Sequence, residues 1–152
     1  MSDNIFEALR ESHELQRSLC RQLLRTRPHT EQRQALFNEL RIELAAHAAA
    51  EERFLYAPIL MDDRGLSPSR HALHEHHEMD ELVETMQEKD PSSRGWLTLA
   101  RSLSKIVHHH LKEEEKKFFQ MSGKILSETR KRTLAAQYRR DYARMLKVLR
   151  EA

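Results

Sequence analysis

The sequence predicts an all-α protein: an up-down-up-down four-helix bundle followed by a fifth, amphipathic C-terminal helix. Three observations carry that expectation. The 152 residues include only 3 Gly and 4 Pro, and strong helix formers (Ala, Leu, Glu, Arg, Lys) are abundant. Apolar residues recur at helical spacing, with no strand-like alternation. The chain also repeats itself: an offset of 63 residues carries His13 onto His76, His47 onto His110 and Glu51 onto Glu114. Around the second pair, Leu40 to Tyr56 matches Leu103 to Phe119 in apolar positions as well as in the HxxxEE core. The repeat relates helices one and two to helices three and four, as a duplicated helical hairpin would.

Each element has its own punctuation. Asn4 and Glu7 form a capping pair for the first helix, which must stop near Arg27 because Pro28 disfavours helix in the residue before it. Thr30 caps the second helix, whose stripe Leu36, Leu40, Leu44, His47, Glu51 and Leu55 is expected to end by Pro58. A loop, ILMDDRGLSP, follows. Ser67 and Pro68 suit the N-cap and first turn of the third helix, and Asp90 and Pro91 mark its end. The fourth helix carries Leu99, Leu103, Ile106, Val107, His110 and Glu114 until Gly123 interrupts it, and a fifth runs from Ser127 to the C-terminus. The expected division is a bundle over residues 1–122 and a basic helix over 123–152.

The length suits one domain with a single core. Charged residues make up 33% of the chain and no apolar run approaches the roughly 18 residues needed to span a bilayer, so no membrane association is expected. The opening MSDNIFEALR has no apolar signal segment, and a single cysteine, Cys20, forms no internal disulfide. A reducing cytoplasm is the expected location.

Polar residues on an apolar stripe need a reason. Residues four apart stack on one helix face, so His47 with Glu51, and His110 with Glu114, each present an imidazole and a carboxylate inward. A metal ion removes the cost of burying such carboxylates. His76 shares the third helix's buried face with Ala72, Leu73, Met79, Leu82, Val83 and Met86, while His13 shares the first helix's face with Leu9, Cys20 and Leu23. Four imidazoles and two carboxylates able to bridge make a site for two first-row ions. Nitrogen and oxygen donors without thiolate suit iron, manganese or zinc, and a two-centre, carboxylate-bridged bundle favours iron or manganese over a structural tetrahedral zinc. Cys20 reads as a small core residue. His29, His71, His74, His77, His108 and His109 read as solvated, with His77–Glu81 and His109–Glu113 as register-shifted alternatives. Glu52 and Glu115, also duplicated, are expected to orient a ligand or to lie on the surface.

The order His, HxxxE, His, HxxxE resembles the hemerythrin family, specifically the bacterial HHE cation-binding domains, over about residues 5 to 120. The HAAAEERFLY and HLKEEEKKFF segments resemble that family's two HxxxEE-plus-apolar segments. The resemblance implies a non-heme di-iron centre held by His13, His47, Glu51, His76, His110 and Glu114, bridged by carboxylate and by an oxo or hydroxo group. Oxygen-carrying hemerythrins place a further histidine four residues away on the third helix and a longer-spaced Asp on the fourth. Here the positions flanking His76 are Ala72 and Asp80, which takes a histidine from one iron and weighs against reversible oxygen carriage; Asp80 offers a replacement oxygen.

From Ser127 onward eight Lys or Arg face three acidic residues, a local charge of +5, beside an apolar stripe of Leu134, Tyr138, Met145, Leu146 and Leu149. Docking on the bundle or on a second copy of the chain is the expectation; nucleic-acid binding would rest on charge alone. Three functional classes follow. In the first, a di-iron protein binds or reacts with O2, H2O2 or NO and is returned to its reduced state by a redox partner; catalysis by Tyr56 or Glu52 is not assigned. In the second, an iron-handling or redox sensor signals through its C-terminal helix. The third is a metal-free helical scaffold.

Overall fold

The computed structural model describes residues 3–152 and contains no strand among them. Five helices form the fold: α1, Ile5–Leu24; α2, residues 31–60; α3, Asp63–Gln87; α4, residues 96–125; and α5, Glu128–Glu151. Side chains start four of them. Asn4 Oδ1 accepts from the Glu7 amide (3.0 Å), Thr30 Oγ1 from Arg33 (3.3 Å), Asp62 Oδ1 from Arg64 (2.9 Å) and Ser127 Oγ from Arg130 (3.1 Å). Among the described residues, no helix is long and apolar enough to cross a membrane.

Three boundaries differ from the sequence expectation. α2 does not end by Pro58: a π-helical turn, Glu52–Tyr56, resets the hydrogen-bond ladder, so Pro58 falls at the start of the next α-helical segment, Ala57–Leu60, where its missing N–H costs little. α3 starts at Asp63, not at Ser67. Asp62 is its cap, and Pro68 lies inside the helix, where the bond it forgoes is to the carbonyl of exposed Arg64, which water can satisfy. Gly65 makes the tight α2–α3 corner possible, because a Cβ there would stand 2.1 Å from the Ile59 carbonyl oxygen. Gly123 does not interrupt α4, which continues to Ile125. A glycine costs about 1 kcal/mol in a helix, and burial of neighbouring Phe119 and Leu126 outweighs it.

The core is two apolar clusters with a polar belt between them. One holds Ile5, Leu9, Leu55, Ile59 and Phe118; the other holds Leu23, Phe37, Leu40, Met86, Trp96 and Leu103. Each fully buried aliphatic or aromatic side chain contributes about 1.5–3 kcal/mol, which holds four helices around a belt that apolar packing alone would not favour. At the far end, Arg33 fastens two connections, donating to the Thr26 carbonyl (2.7 Å) and the Pro91 carbonyl (2.9 Å). α5 lies across α1 and α2, burying Leu134, Ala135 and Tyr138, while Met145, Leu146 and Leu149 remain only half-buried. Arg139 clamps it to α1 through Asp3 and Glu11 (2.6 Å each).

Candidate metal centre

The belt consists of the six residues that the repeat singles out. His13 comes from α1, His47 and Glu51 from α2, His76 from α3, and His110 and Glu114 from α4, all of them buried. Their donor atoms fall into two groups, each with its ligand atoms within 4.8 Å of one another: His13, His47, Glu51 and Glu114; and Glu51, His76, His110 and Glu114. The two glutamates belong to both. Glu51 Oε1 stands 3.3 Å from His47 Nε2 and 3.2 Å from His76 Nε2, while the Glu114 carboxylate stands 3.1 Å from His13 Nε2 and 3.5 Å from His110 Nε2.

Every imidazole turns Nε2 inward because something holds Nδ1 outward. Glu115 Oε2 lies 2.7 Å from His13 Nδ1, Tyr138 Oη 2.9 Å from His47 Nδ1, Glu52 Oε2 2.8 Å from His76 Nδ1, and Glu75 Oε1 2.8 Å from His110 Nδ1. Partners of this kind fix the ring and its tautomer for a ligating nitrogen. Glu52 and Glu115 therefore orient histidines, as the repeat allowed. Glu75 and Tyr138 were not singled out for this in the sequence: each lies on a helix other than that of the histidine it anchors, at no fixed spacing.

Tyr56 also enters the site. Its hydroxyl lies between Glu51 Oε1 (2.9 Å) and Glu114 Oε2, with one proton to share between the two carboxylates, and stands 3.4 Å from His76 Nε2. At 100° per residue Tyr56 would lie about 140° around the helix from Glu51. The π turn brings residues five apart onto one face, so the hydroxyl reaches the carboxylate. A second π turn, Glu114–Phe118, lies within one residue of the repeat register. There the counterpart of Tyr56 is Phe119, stacked on His13 at 5.7 Å, as Tyr56 leans on His76 at 5.2 Å.

The remaining candidates stay outside. Asp80 is exposed and belongs to neither donor group. His77 pairs with Glu81 (2.8 Å) on the surface, and exposed His109 pairs with half-buried Glu113 (3.1 Å). Cys20 is buried, and burial pushes its thiol up to about 11, which keeps it protonated as a core residue.

The inward-facing atoms lack partners of their own. His13 Nε2, His47 Nε2, His110 Nε2, Glu51 Oε2 and Glu114 Oε1 are all buried without an aligned hydrogen bond. Each such atom costs about 1–3 kcal/mol, and five at one point are a set that a cation would satisfy at once. The electrostatics agree. Burial would raise Glu51, yet His47 and His76 hold it well below the usual carboxylate range. Burial would lower His13 and His76, yet Glu114 with Glu115, and Glu51 with Glu52, lift them to about 9 and about 10. Without metal, protons on these rings supply the positive charge that the carboxylates demand. The residues fit bound metal.

A cavity of about 320 Å³ reaches this belt from the surface, lined by exposed His71 and by Ala72, Glu75, His110, Glu114 and Phe118. It is about ten times the roughly 30 Å³ share of one water molecule.

Residues 4–122 match the sequence profile of the hemerythrin HHE cation binding domain. The chain belongs to this family. A hemerythrin HHE cation binding domain-containing protein from Mycobacterium kansasii has the same fold, with a TM-score of 0.85 and 23% identity, covering 96% of this HHE chain and 89% of that one. The DNA nickase of a Nostoc species is 29% identical over 106 residues, which are 70% of this chain and 30% of that protein. This HHE chain thus spans under a third of that relative's length.

Proposed function

We propose that this chain holds two iron ions, one in each donor group, and that the resulting non-heme di-iron centre binds or reacts with O2, H2O2 or NO as part of an oxygen, redox or nitrosative stress response. The observation that carries the reading is the sharing of Glu51 and Glu114 by two groups that each have their own pair of histidines. Glu51 and Glu114 would be held in common by the two ions, and two imidazoles on each side would complete a nitrogen- and oxygen-donor set suited to iron. An oxo or hydroxo bridge would complete the pair.

When bound, ferrous ions supply electrons and open coordination positions for a small oxidant. The chain's own residues do the rest. Glu115, Tyr138, Glu52 and Glu75 keep the four Nε2 atoms facing inward. Tyr56 holds a proton at Oη between Glu51 and Glu114; in the metal-free chain burial first, then the two carboxylates, push its pKa well above the ordinary value. The cavity beside His110 and Glu114 is wide enough to admit a diatomic or peroxide. A redox partner in the cytoplasm would return the centre to the ferrous state.

The test is an anaerobic ferrous titration followed by air, peroxide or NO, with near-ultraviolet and visible spectra. Saturation at two irons per chain and new charge-transfer bands on adding one of the three are expected. Saturable iron with spectra indifferent to all three would overturn the reactivity; no saturable iron would overturn the centre.

A further inference from the structure

Most of the site obeys the 63-residue repeat. The Glu115–His13 contact has its counterpart in Glu52–His76, and the His13–His47 ring pair (5.1 Å between centroids) in His76–His110 (4.9 Å). Among the contacts that hold the imidazole Nδ1 atoms, one does not repeat. His110 Nδ1 is held by Glu75, but the residue the offset places opposite Glu75 is Ser12, too short to reach an imidazole and turned instead to Glu43. The partner of His47 Nδ1 arrives from outside the repeat: Tyr138 of α5, with Oη at 2.9 Å and its ring edge-on to the imidazole at 5.9 Å.

We propose that Tyr138 is a positioning residue for His47, supplied by α5 in place of the carboxylate that the first half lacks, and that docking of α5 is thereby linked to metal occupancy of the His13–His47 side. This rests on the metal reading above. A second contact ties the same two helices one turn away. Tyr142 stacks on Tyr138 at 5.7 Å, and its hydroxyl donates to buried Glu43, one turn before His47 on α2. Gln16 donates to Ser12 Oγ and completes the network. The offset places Met79 and Ile106 opposite Gln16 and Glu43, so the polar network exists only in the half that α5 covers.

The link has a direction. A metal ion on His47 Nε2 leaves the ring proton on Nδ1, where it donates to Tyr138 Oη. Tyr138 thus holds the ring in the orientation that a metal ion on Nε2 requires, and by reciprocity occupancy favours the docked α5.

The test combines anaerobic ferrous titration of wild type, Tyr138→Phe and Glu75→Gln with backbone hydrogen exchange over residues 128–142 at zero and saturating iron. Tyr138→Phe should weaken one of the two binding events about 10–100-fold and leave the other near wild type. Iron should slow exchange in α5 of wild type but not of Tyr138→Phe; Glu75→Gln should weaken binding yet keep the iron-dependent protection. Unchanged affinities in a folded Tyr138→Phe, or α5 exchange in wild type that ignores bound iron, would overturn the proposal, and the second measurement needs no variant. Wild type that binds no ferrous ion would instead overturn the metal reading beneath it.

Discussion

Glu51 offers the sharpest perturbation, because it counts twice. Each proposed ion position would draw on four donors: two imidazoles of its own and the two shared carboxylates. His47→Ala takes one donor from one position; Glu51→Gln takes the same carboxylate from both and leaves His47 and His76, at 3.3 and 3.2 Å, facing a neutral amide. With free metal at 100 times its dissociation constant, each bound ion adds about 2.7 kcal/mol to folding, and two add roughly 5.4. For a chain of this size that corresponds to a rise in Tm of roughly 10–20 °C. Thermal unfolding with and without ferrous ion, paired with metal analysis, should give the full rise and two irons in wild type, about half the rise and one iron in His47→Ala, and almost none of either in Glu51→Gln. If Glu51→Gln retains one iron as His47→Ala does, the carboxylate is not shared and the two-group geometry is the wrong basis for the site.

Further outcomes follow from particular contacts. Tyr56→Phe should fold, since Phe119 already fills the equivalent place, but the metal-free protein should lose roughly 1.5–3 kcal/mol in urea unfolding through lost hydrogen bonds to charged carboxylates; no loss would remove the hydroxyl from the site. Gly65→Ala forces a Cβ onto the Ile59 carbonyl and should cost about 1–3 kcal/mol, measurable in the same assay. The pH dependence should differ between metal-free and loaded protein. His13 and His76 are raised from 6.5 to about 9 and about 10, so in the metal-free protein their contribution to stability is full below pH 6.5 and is lost as pH rises through 9 to 10. The loaded protein, with these rings neutral on metal, should lack that decline; a metal-free protein equally stable at pH 7 and 10 would contradict it.

What was legible in the sequence was whatever obeys a helical period or the repeat. The convergence of His13, His47, Glu51, His76, His110 and Glu114 follows from four-residue stacking plus one offset, and Glu52 and Glu115 appear through the same register. Tyr56 was left without an assigned role: 3.6-residue periodicity alone turns it away from Glu51, and nothing in the amino-acid pattern marks the π turn that rotates it back. Tyr138 and Glu75 approach from neighbouring helices, at separations of 91 and 35 residues from the histidines they anchor, where no local spacing applies. The start of α3 was displaced because Ser67–Pro68 is a good local cap signal, and tertiary packing at Gly65 overrode it.

The central claim is that two metal ions share Glu51 and Glu114, and anomalous diffraction at the iron edge from iron-loaded crystals tests it most directly. Two peaks should lie between the helices, one ligated by His13 and His47, the other by His76 and His110, with both glutamates spanning the pair. A single peak, or peaks that leave either glutamate on one ion alone, would contradict it.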